Sequence, residues 1–357
     1  MKALALVDAP DHVCCRYRVG AFAPGLEESG WSLTIEGLAA RPWGWWRQCR
    51  DAASYDAVLL QRKLLPAWHL WELRRRSRRL IFDFDDAVSY RDSYDPRGPH
   101  SRRRAARFAR TVRLADAVIA GNGFLAGLAV EAGAKPGSVR VIPTCVDPSR
   151  YAPAPPGRRD GGIELVWVGS SSTLQGLELR QGLWELLARE VPGLRLRLIS
   201  DRFPDFGPVP VVAVPWSGAT EAAEIASADV GISWVPDDLW SRGKCGLKVL
   251  QYQAAGLPVV TNPVGVHLQM VEPGVSGFLP ATDAAWVEAI GALAARPSLR
   301  DRMGRAARAS VGSRYSVAAW LPAVIAAFAG AGAGAGAAPR PHLPGRHPSS
   351  WIAGPRH

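Results

Sequence analysis

Long hydrophobic runs are missing from this sequence. Its apolar stretches are broken by Gly, Pro or Arg well short of the roughly 18 residues that a membrane-spanning helix needs. Cysteine is scarce as well. The five present, Cys14, Cys15, Cys49, Cys145 and Cys245, are an odd number without the paired spacing of a zinc ligand set, so neither a disulfide framework nor a metal site is expected. The N-terminal stretch from Met1 to Asp8 is too short in apolar character for a signal peptide and runs straight into an acid, so a cytoplasmic chain is expected. No fibrous period is present. Charged residues make up only 21% beside 48% hydrophobic, which excludes a chain too charged to collapse.

What is there is a chain of 357 residues, more than one ordinary domain of roughly 100–200 holds. Residues 151–162 (YAPAPPGRRDGG) are rich in Pro and Gly near mid-chain and read as a linker. Two domains are therefore expected, over residues 1–150 and 163–314. Residues 315–329 are expected to form a last helix, and the Gly-Ala and Pro/Arg/His segment 330–357 a disordered tail.

Within each half, short apolar runs alternate with helical patterns. In the first, residues 3–7, 57–60, 80–82, 117–120 and 139–142 read as buried parallel strands, and Ala105, Phe108, Ala109 and Val112 form one apolar helix stripe. In the second, strands are expected at 165–168, 194–199, 230–233 and 258–261, separated by helices at 177–189, 247–255 and 284–295. The alternation implies βαβ units and two doubly wound α/β domains facing across a cleft at the carboxyl ends of their strands.

Charge is unevenly spread. Residues 1–150 hold 24 Lys/Arg against 16 Asp/Glu, whereas residues 151–329 hold 16 of each. The excess in the first half gathers in two clusters, Arg74, Arg75, Arg76, Arg78 and Arg79, and Arg102, Arg103, Arg104, Arg107, Arg110 and Arg113. Each is either a solvated helix face or a surface for anionic headgroups. No RNA-binding aromatic motif accompanies them, so a nucleic-acid partner is not expected.

Two segments carry candidate chemistry in the second half. The run from Val166 to Thr173 reads as strand, Gly169, then a hydroxyl-rich turn with Ser170 and Thr173 opening a helix; it is either a phosphate cradle or an ordinary cap. It has neither a Walker lysine nor a GxGxxG fingerprint. The run from Arg242 to Val260 (RGKCGLKVLQYQAAGLPVV), followed by Asn262–Gly265, is the most distinctive stretch, and Arg242, Lys244 and Lys248 are its cations.

This stretch resembles the donor-site helix, strand and glycine loop of glycosyltransferase family four, the glycosyl transferases group 1. Residues 228–232, the ending at 274–279 and residues 141–147 fit the same family in order. The resemblance implies a GT-B fold, with a nucleotide-sugar held mainly by the second domain through Gly169, Ser170, Thr173, Arg242, Lys244, Lys248, Gln251 and Gly265. It implies an acceptor on the first domain, retention of anomeric configuration, and no cofactor or metal. Many relatives act on lipid-linked acceptors, so a glycan or lipid-linked partner and an anionic membrane surface follow, with a role in polysaccharide biosynthesis. Lys248 and Asp86 are the catalytic candidates. Asp83 and Asp86, following the strand 80–82, and Arg16 and Arg18, following the first strand, are expected at the acceptor or phosphate side of the cleft.

The sequence also departs from the family. Aligned on residues 250–252, the glutamates of its E-x7-E spacing fall on Gly243 and Gln251; the basic pair after the opening strand falls on Ser170 and Gln175, and a later acid on Gln269. Gln251 retains an amide for ribose hydroxyls. The departures leave three readings: an active transferase with relocated phosphate cations, a silent nucleotide-sugar-binding scaffold, or a nucleotide-sugar epimerase of the same architecture. Asp237, Asp238, His12 and His267 are secondary candidates near the cleft.

Overall fold

The computed structural model describes residues 1–153 and 162–330. Most of the expected linker and nearly all of the expected tail lie outside the described residues. Two six-stranded sheets, every strand parallel to its neighbours, form the frame. The first contains β1 (Lys2–Val7), β2 (Ser32–Gly37), β3 (Ala57–Gln61), β4 (Leu80–Phe84), β5 (Ala117–Ala120) and β6 (Val139–Val141), in the order β2-β1-β3-β4-β5-β6. The second contains β7 (Ile163–Val168), β8 (Leu194–Ser200), β9 (Val211–Pro215), β10 (Val230–Ser233), β11 (Val259–Thr261) and β12 (Gly277–Phe278), in the order β12-β11-β10-β7-β8-β9. The strand order reverses between β1 and β3 in one sheet and between β7 and β10 in the other, and ligands of open α/β sheets bind outside the carboxyl ends of such strands.

Strands β3, β4, β5, β7, β10 and β11 are buried along their whole length, because helices cover both faces. Continuous apolar runs betray them in the sequence. β2, β9 and β12 lie at sheet edges and carry half-exposed or very short patterns, so no such run announces them. The single helix expected at 177–189 is two, Ser171–Glu178 and Gln181–Glu190. The break is held by Trp184 Nε1 donating to the Leu177 carbonyl at 2.9 Å, and by the Arg180 side chain turning to Asp283 and the Trp234 ring. The helix Pro297–Arg314 is an addition to the expected set. It buries Leu299, Met303, Ala307 and Val311 at a regular spacing of four, a stripe diluted by arginines.

The last helix, Val317–Ala329, returns to the first sheet. Trp320, Val324, Ala327 and Phe328 enter a core with Phe22, Leu26, Trp31 and β1. Trp31 and Phe328 meet edge to face with centroids 5.6 Å apart, and Arg79 Nε donates to the Ala327 carbonyl at 3.0 Å. Backbone bonds between Val146 and Tyr315 and between Val317 and Val146 tie the start of the crossing. Phe328→Ala is therefore expected to remove about 3–5 kcal/mol from the first domain. The check is chemical denaturation, and an unchanged midpoint would show that the helix does not staple that domain.

Candidate active site

Lys248 lies in the first turn of the helix Leu247–Ala254, with its side chain aimed at the carboxyl end of β7. Its ammonium donates to Thr173 Oγ1 at 3.0 Å and sits 4.2 Å from the centre of the Trp167 ring. A Cβ at Gly169 would stand 2.5 Å from Nζ, so glycine there is what leaves room for the ammonium. Among the described residues no carboxylate pairs with Lys248. Burial pushes its pKa down to about 7, with the neighbouring Lys244 adding to the effect. The helix itself starts without a side-chain cap, leaving its first amides unanswered by protein hydroxyls.

The hydroxyl-rich turn divides its work. Ser171 is used for capping, its N–H and Oγ bound to Asp201 at 2.6 and 2.8 Å, which holds that carboxylate below its ordinary range. Ser170 pairs with Ser172, and Thr173 meets Lys248. The cap is thus present at Ser171, and beside it Thr173 is turned to the Lys248 ammonium.

On the first domain, Asp86 is half-buried and bound by Arg62 at 2.5 Å. Burial pushes its carboxyl up, and Lys244 and then Arg62 oppose that shift. Lys244 thus acts electrostatically on Asp86 in one domain and on Lys248 in the other. Arg62, missed in the sequence, adopts φ +56°, a region that non-glycine residues rarely enter. That conformation at the end of β3 turns its guanidinium toward Asp85, Asp86 and the Cys14 thiol. The sequence carries no signal for it beyond its position at the strand-order reversal.

Several sequence candidates are placed elsewhere than expected. Arg18 and Asp83 form an ion pair in which each side chain is about 3% exposed, so they tie the end of the helix Val13–Arg18 to β4 rather than face a ligand. Arg16 is bound by Glu221 at 2.5 Å and lies over Trp216 of the second domain. Gln251 is buried, donating to the hydroxyls of Tyr17 at 3.0 Å and Tyr151 at 3.3 Å, which leaves its amide committed to protein partners. His267 is buried between Thr261 and the Asn262 carbonyl and pushed down to about 4 by burial, hence neutral at pH 7. His12 and Asp238 cap short helices, and Asp237 pairs with Arg242. The arginines of the first cluster are likewise occupied: Arg74 by Asp116, Arg75 and Arg76 by Glu72, Arg78 by Asp56 and Arg79 by the last helix.

The two domains touch along the segment Arg242–Gly246. A Cβ at Gly243 would fall 2.6 Å from Ala87 Cβ and 2.7 Å from its backbone nitrogen, so no glutamate fits there in this arrangement. Asn122 Nδ2 donates to the carbonyls of Gly243 and Lys244, both at 3.1 Å, and Ser93 meets Ser241 at 3.1 Å. Beside this contact, Arg242, Val264, Gly265 and Leu268 face Asn122 and Phe124 across an open pocket of about 310 Å³.

A lysine whose pKa is lowered on folding gives a signed expectation. Unfolded, it titrates near 10.4; folded, near 7; between those values the unfolded chain binds more protons, so stability rises with pH. Lys248→Met is expected to remove that rise between about pH 7 and pH 10. Parallel urea titrations of the two proteins check it, and identical slopes would mean that the ammonium is solvated.

Comparison with known proteins agrees with this geometry. Residues 208–296 match the sequence model of the family described as glycosyl transferases group 1. A D-inositol 3-phosphate glycosyltransferase of Actinosynnema mirum is 30% identical over 241 residues, 58% of this chain and 56% of the relative. One of the same description from Kribbella flavida is 28% identical over 49% of this chain and 47% of its own length. The chain thus matches about half the length of these curated relatives. Among solved structures, sucrose-phosphate synthase from Thermosynechococcus elongatus superposes with a TM-score of 0.71 at 16% identity, covering 92% of this chain and 98% of that one. HepE of Anabaena, solved in complex with UDP-glucose, gives 0.63 at 17% identity, over 92% and 100%. The fold is GT-B, and the resemblance read from the donor-side motif is borne out.

Proposed function

We propose that this chain, group 1 glycosyltransferase-like in its fold and in the sequence of its second domain, moves a sugar from a nucleotide-diphosphate donor to a hydroxyl acceptor. The observation that carries the reading is Lys248: an enclosed ammonium without a counter-charge, at the uncapped start of a helix and beside a glycine loop. Departure of a nucleoside diphosphate builds negative charge on phosphate, and a fixed cation with free helix amides in a closed cleft stabilises it. Binding of a diphosphate would restore the ammonium's proton, so the group is poised to gain charge as the ligand does.

Asp86 stands on the opposite wall, held by Arg62, and the charge of Lys244 acts on both it and Lys248. In this reading it orients the acceptor hydroxyl beside the anomeric carbon, attack comes on the face that the leaving group vacates, and configuration is retained. Donor charge is met by lysine and backbone, so no metal is required. The names of the relatives and the UDP-glucose bound by HepE support a nucleotide-sugar donor. The excess of cations in the first domain supports an acceptor that is lipid-linked or part of a cell-surface glycan, reached from the membrane surface. The buried Gln251 gives the silent-scaffold alternative its one specific support, because a ribose contact there would require Tyr17 and Tyr151 to move.

A thermal-shift screen against nucleoside diphosphates and their sugars, without added metal, is expected to yield at least one stabilising ligand. Lys248→Ala is expected to raise the Kd for that ligand, or lower turnover, at least about tenfold, a loss of about 1.4 kcal/mol. Release of free nucleoside diphosphate only with acceptor present separates transfer from epimerisation. A stabilising ligand with no turnover on any acceptor would favour the scaffold, and a folded protein that binds none of the panel would overturn the donor reading.

A further inference from the structure

Four tryptophans stand out on the first domain: Trp43 is 77% exposed, Trp46 52%, Trp68 58% and Trp71 59%. They form two pairs at i, i+3, one on the helix Pro42–Ala52 and one on the helix Ala67–Arg76, so each pair shares a helix face. The two helices lie side by side, since Trp45, buried on the first, packs edge to face on His69 of the second, and Trp68 stacks on the same imidazole. A third helix, Arg102–Leu114, packs beside them through Phe108 and Val112 in the same core. Arg107 donates to the Leu64 carbonyl and lowers the pKa of His69, after burial, by its charge. Its own guanidinium is pushed down by burial and by the like charges of Arg103 and Arg110.

These arginines differ from those of the cluster at 74–79. Among the described residues no carboxylate pairs with Arg102, Arg103, Arg104, Arg107 or Arg110, whereas the cluster at 74–79 is occupied throughout. Parallel topology also fixes which end of the helices the patch occupies. Each of the three follows a strand of the first sheet and returns to the amino end of the next, so its first half lies toward the carboxyl ends of the strands, where the cleft is. The four tryptophans and Arg102, Arg103 and Arg107 all fall in those first halves.

We infer that this face is the surface by which the protein lies on an anionic bilayer, with the four indoles seated at headgroup level and the unpaired arginines on acidic lipid headgroups. The inference rests on the membrane part of the reading above and gives it residues and an orientation. Indole favours the membrane–water interface because its ring is apolar and its N–H polar, and guanidinium supplies the electrostatic attraction. None of the described helices is long and apolar enough to cross a membrane, so contact is by lying on the surface. That orientation brings the rim of the cleft, where Asp86 stands, toward the headgroups.

The test uses the full chain, pelleted with vesicles of phosphatidylcholine, with and without phosphatidylglycerol. Wild type is expected to sediment with the anionic vesicles, and brominated acyl chains to quench its tryptophan fluorescence. Joint replacement Trp43→Ser, Trp46→Ser, Trp68→Ser and Trp71→Ser is expected to lower the partition coefficient at least about tenfold and abolish the quenching. Arg103→Glu with Arg107→Glu is expected to remove the preference for acidic lipid. Wild type left in the supernatant, or unaltered partition of a quadruple variant that melts like wild type, overturns the inference. If the quadruple variant misfolds, the pair Trp43→Ser and Trp71→Ser decides by the same readouts. Loss of retention on a soluble polysaccharide matrix, with vesicle partition unchanged, would make the face a glycan platform and also overturn it. Nucleoside diphosphate thermal shifts on the same preparations report the donor site separately.

Discussion

The arrangement of the cleft depends on how closely the segment Arg242–Gly246 is pressed onto the first domain. Gly243 lies against Ala87 with no room for a Cβ, and Asn122 gathers the carbonyls of Gly243 and Lys244. This contact sets the separation of the walls, because the helix carrying Lys248 begins immediately afterwards and the loop carrying Asp86 immediately precedes Ala87. A longer side chain at position 243 would push the two walls apart. The missing glutamate of the family spacing therefore coincides with a place where a glutamate has no space in this arrangement. A second set of bonds, Arg16 to Glu221 and Gln251 to Tyr17 and Tyr151, holds the same two domains together on the other side of the helix.

Charge in the molecule sorts into groups that are answered and groups that are not. Arg18 with Asp83, Arg16 with Glu221 and Arg62 with Asp86 are pairs in which burial of one charge is compensated by the other. Lys248 has only a hydroxyl and an aromatic face, and burial beside Lys244 pushes its pKa down. An isolated buried cation costs stability unless a ligand answers it. The exposed arginines of the helix Arg102–Leu114 are the surface counterpart, repelling one another without carboxylate relief. An anionic partner is proposed for each set, a diphosphate in the cleft and a lipid surface outside it.

Much of the fold was legible because a parallel sheet covered on both faces demands continuous apolar strands, and β5 and β10 were readable to the residue. Edge strands carry no such demand, which is why β2, β9 and β12 escaped. Lys248 was legible through its motif, and its isolation was not, since that depends on what Trp167, Gly169 and Thr173 bring across from β7. The roles of Arg18, Asp83 and Gln251 were misplaced for a common reason. A polar residue after a strand reads as cleft-facing, yet whether it reaches solvent is settled by partners distant in sequence, here Arg18 for Asp83 and Tyr17 with Tyr151 for Gln251. Arg62 could not be found at all, because its position follows from a backbone conformation that arginine rarely adopts.

The burial of Gln251 bears directly on how the proposed donor would enter. Its amide is tied to Tyr17 from the first domain and to Tyr151 at the end of the first domain's segment, so contact with a ribose requires those tyrosines to withdraw. Tyr17 is itself linked to Glu221 and Arg16, and Arg16 to Trp216. Opening this cluster would separate the domains on one side while the Gly243 contact acts as the fulcrum on the other. In the proposed reading donor binding and domain opening would then be one equilibrium, set by these hydroxyl and carboxylate bonds together with the apolar packing of Tyr17, Val146 and Tyr151 against the second domain's core. Such bonds each contribute little net stability when water can replace them. The larger resistance to opening is therefore apolar, because withdrawing Tyr17 and Tyr151 takes them out of a buried cluster that includes Val168 and Val249.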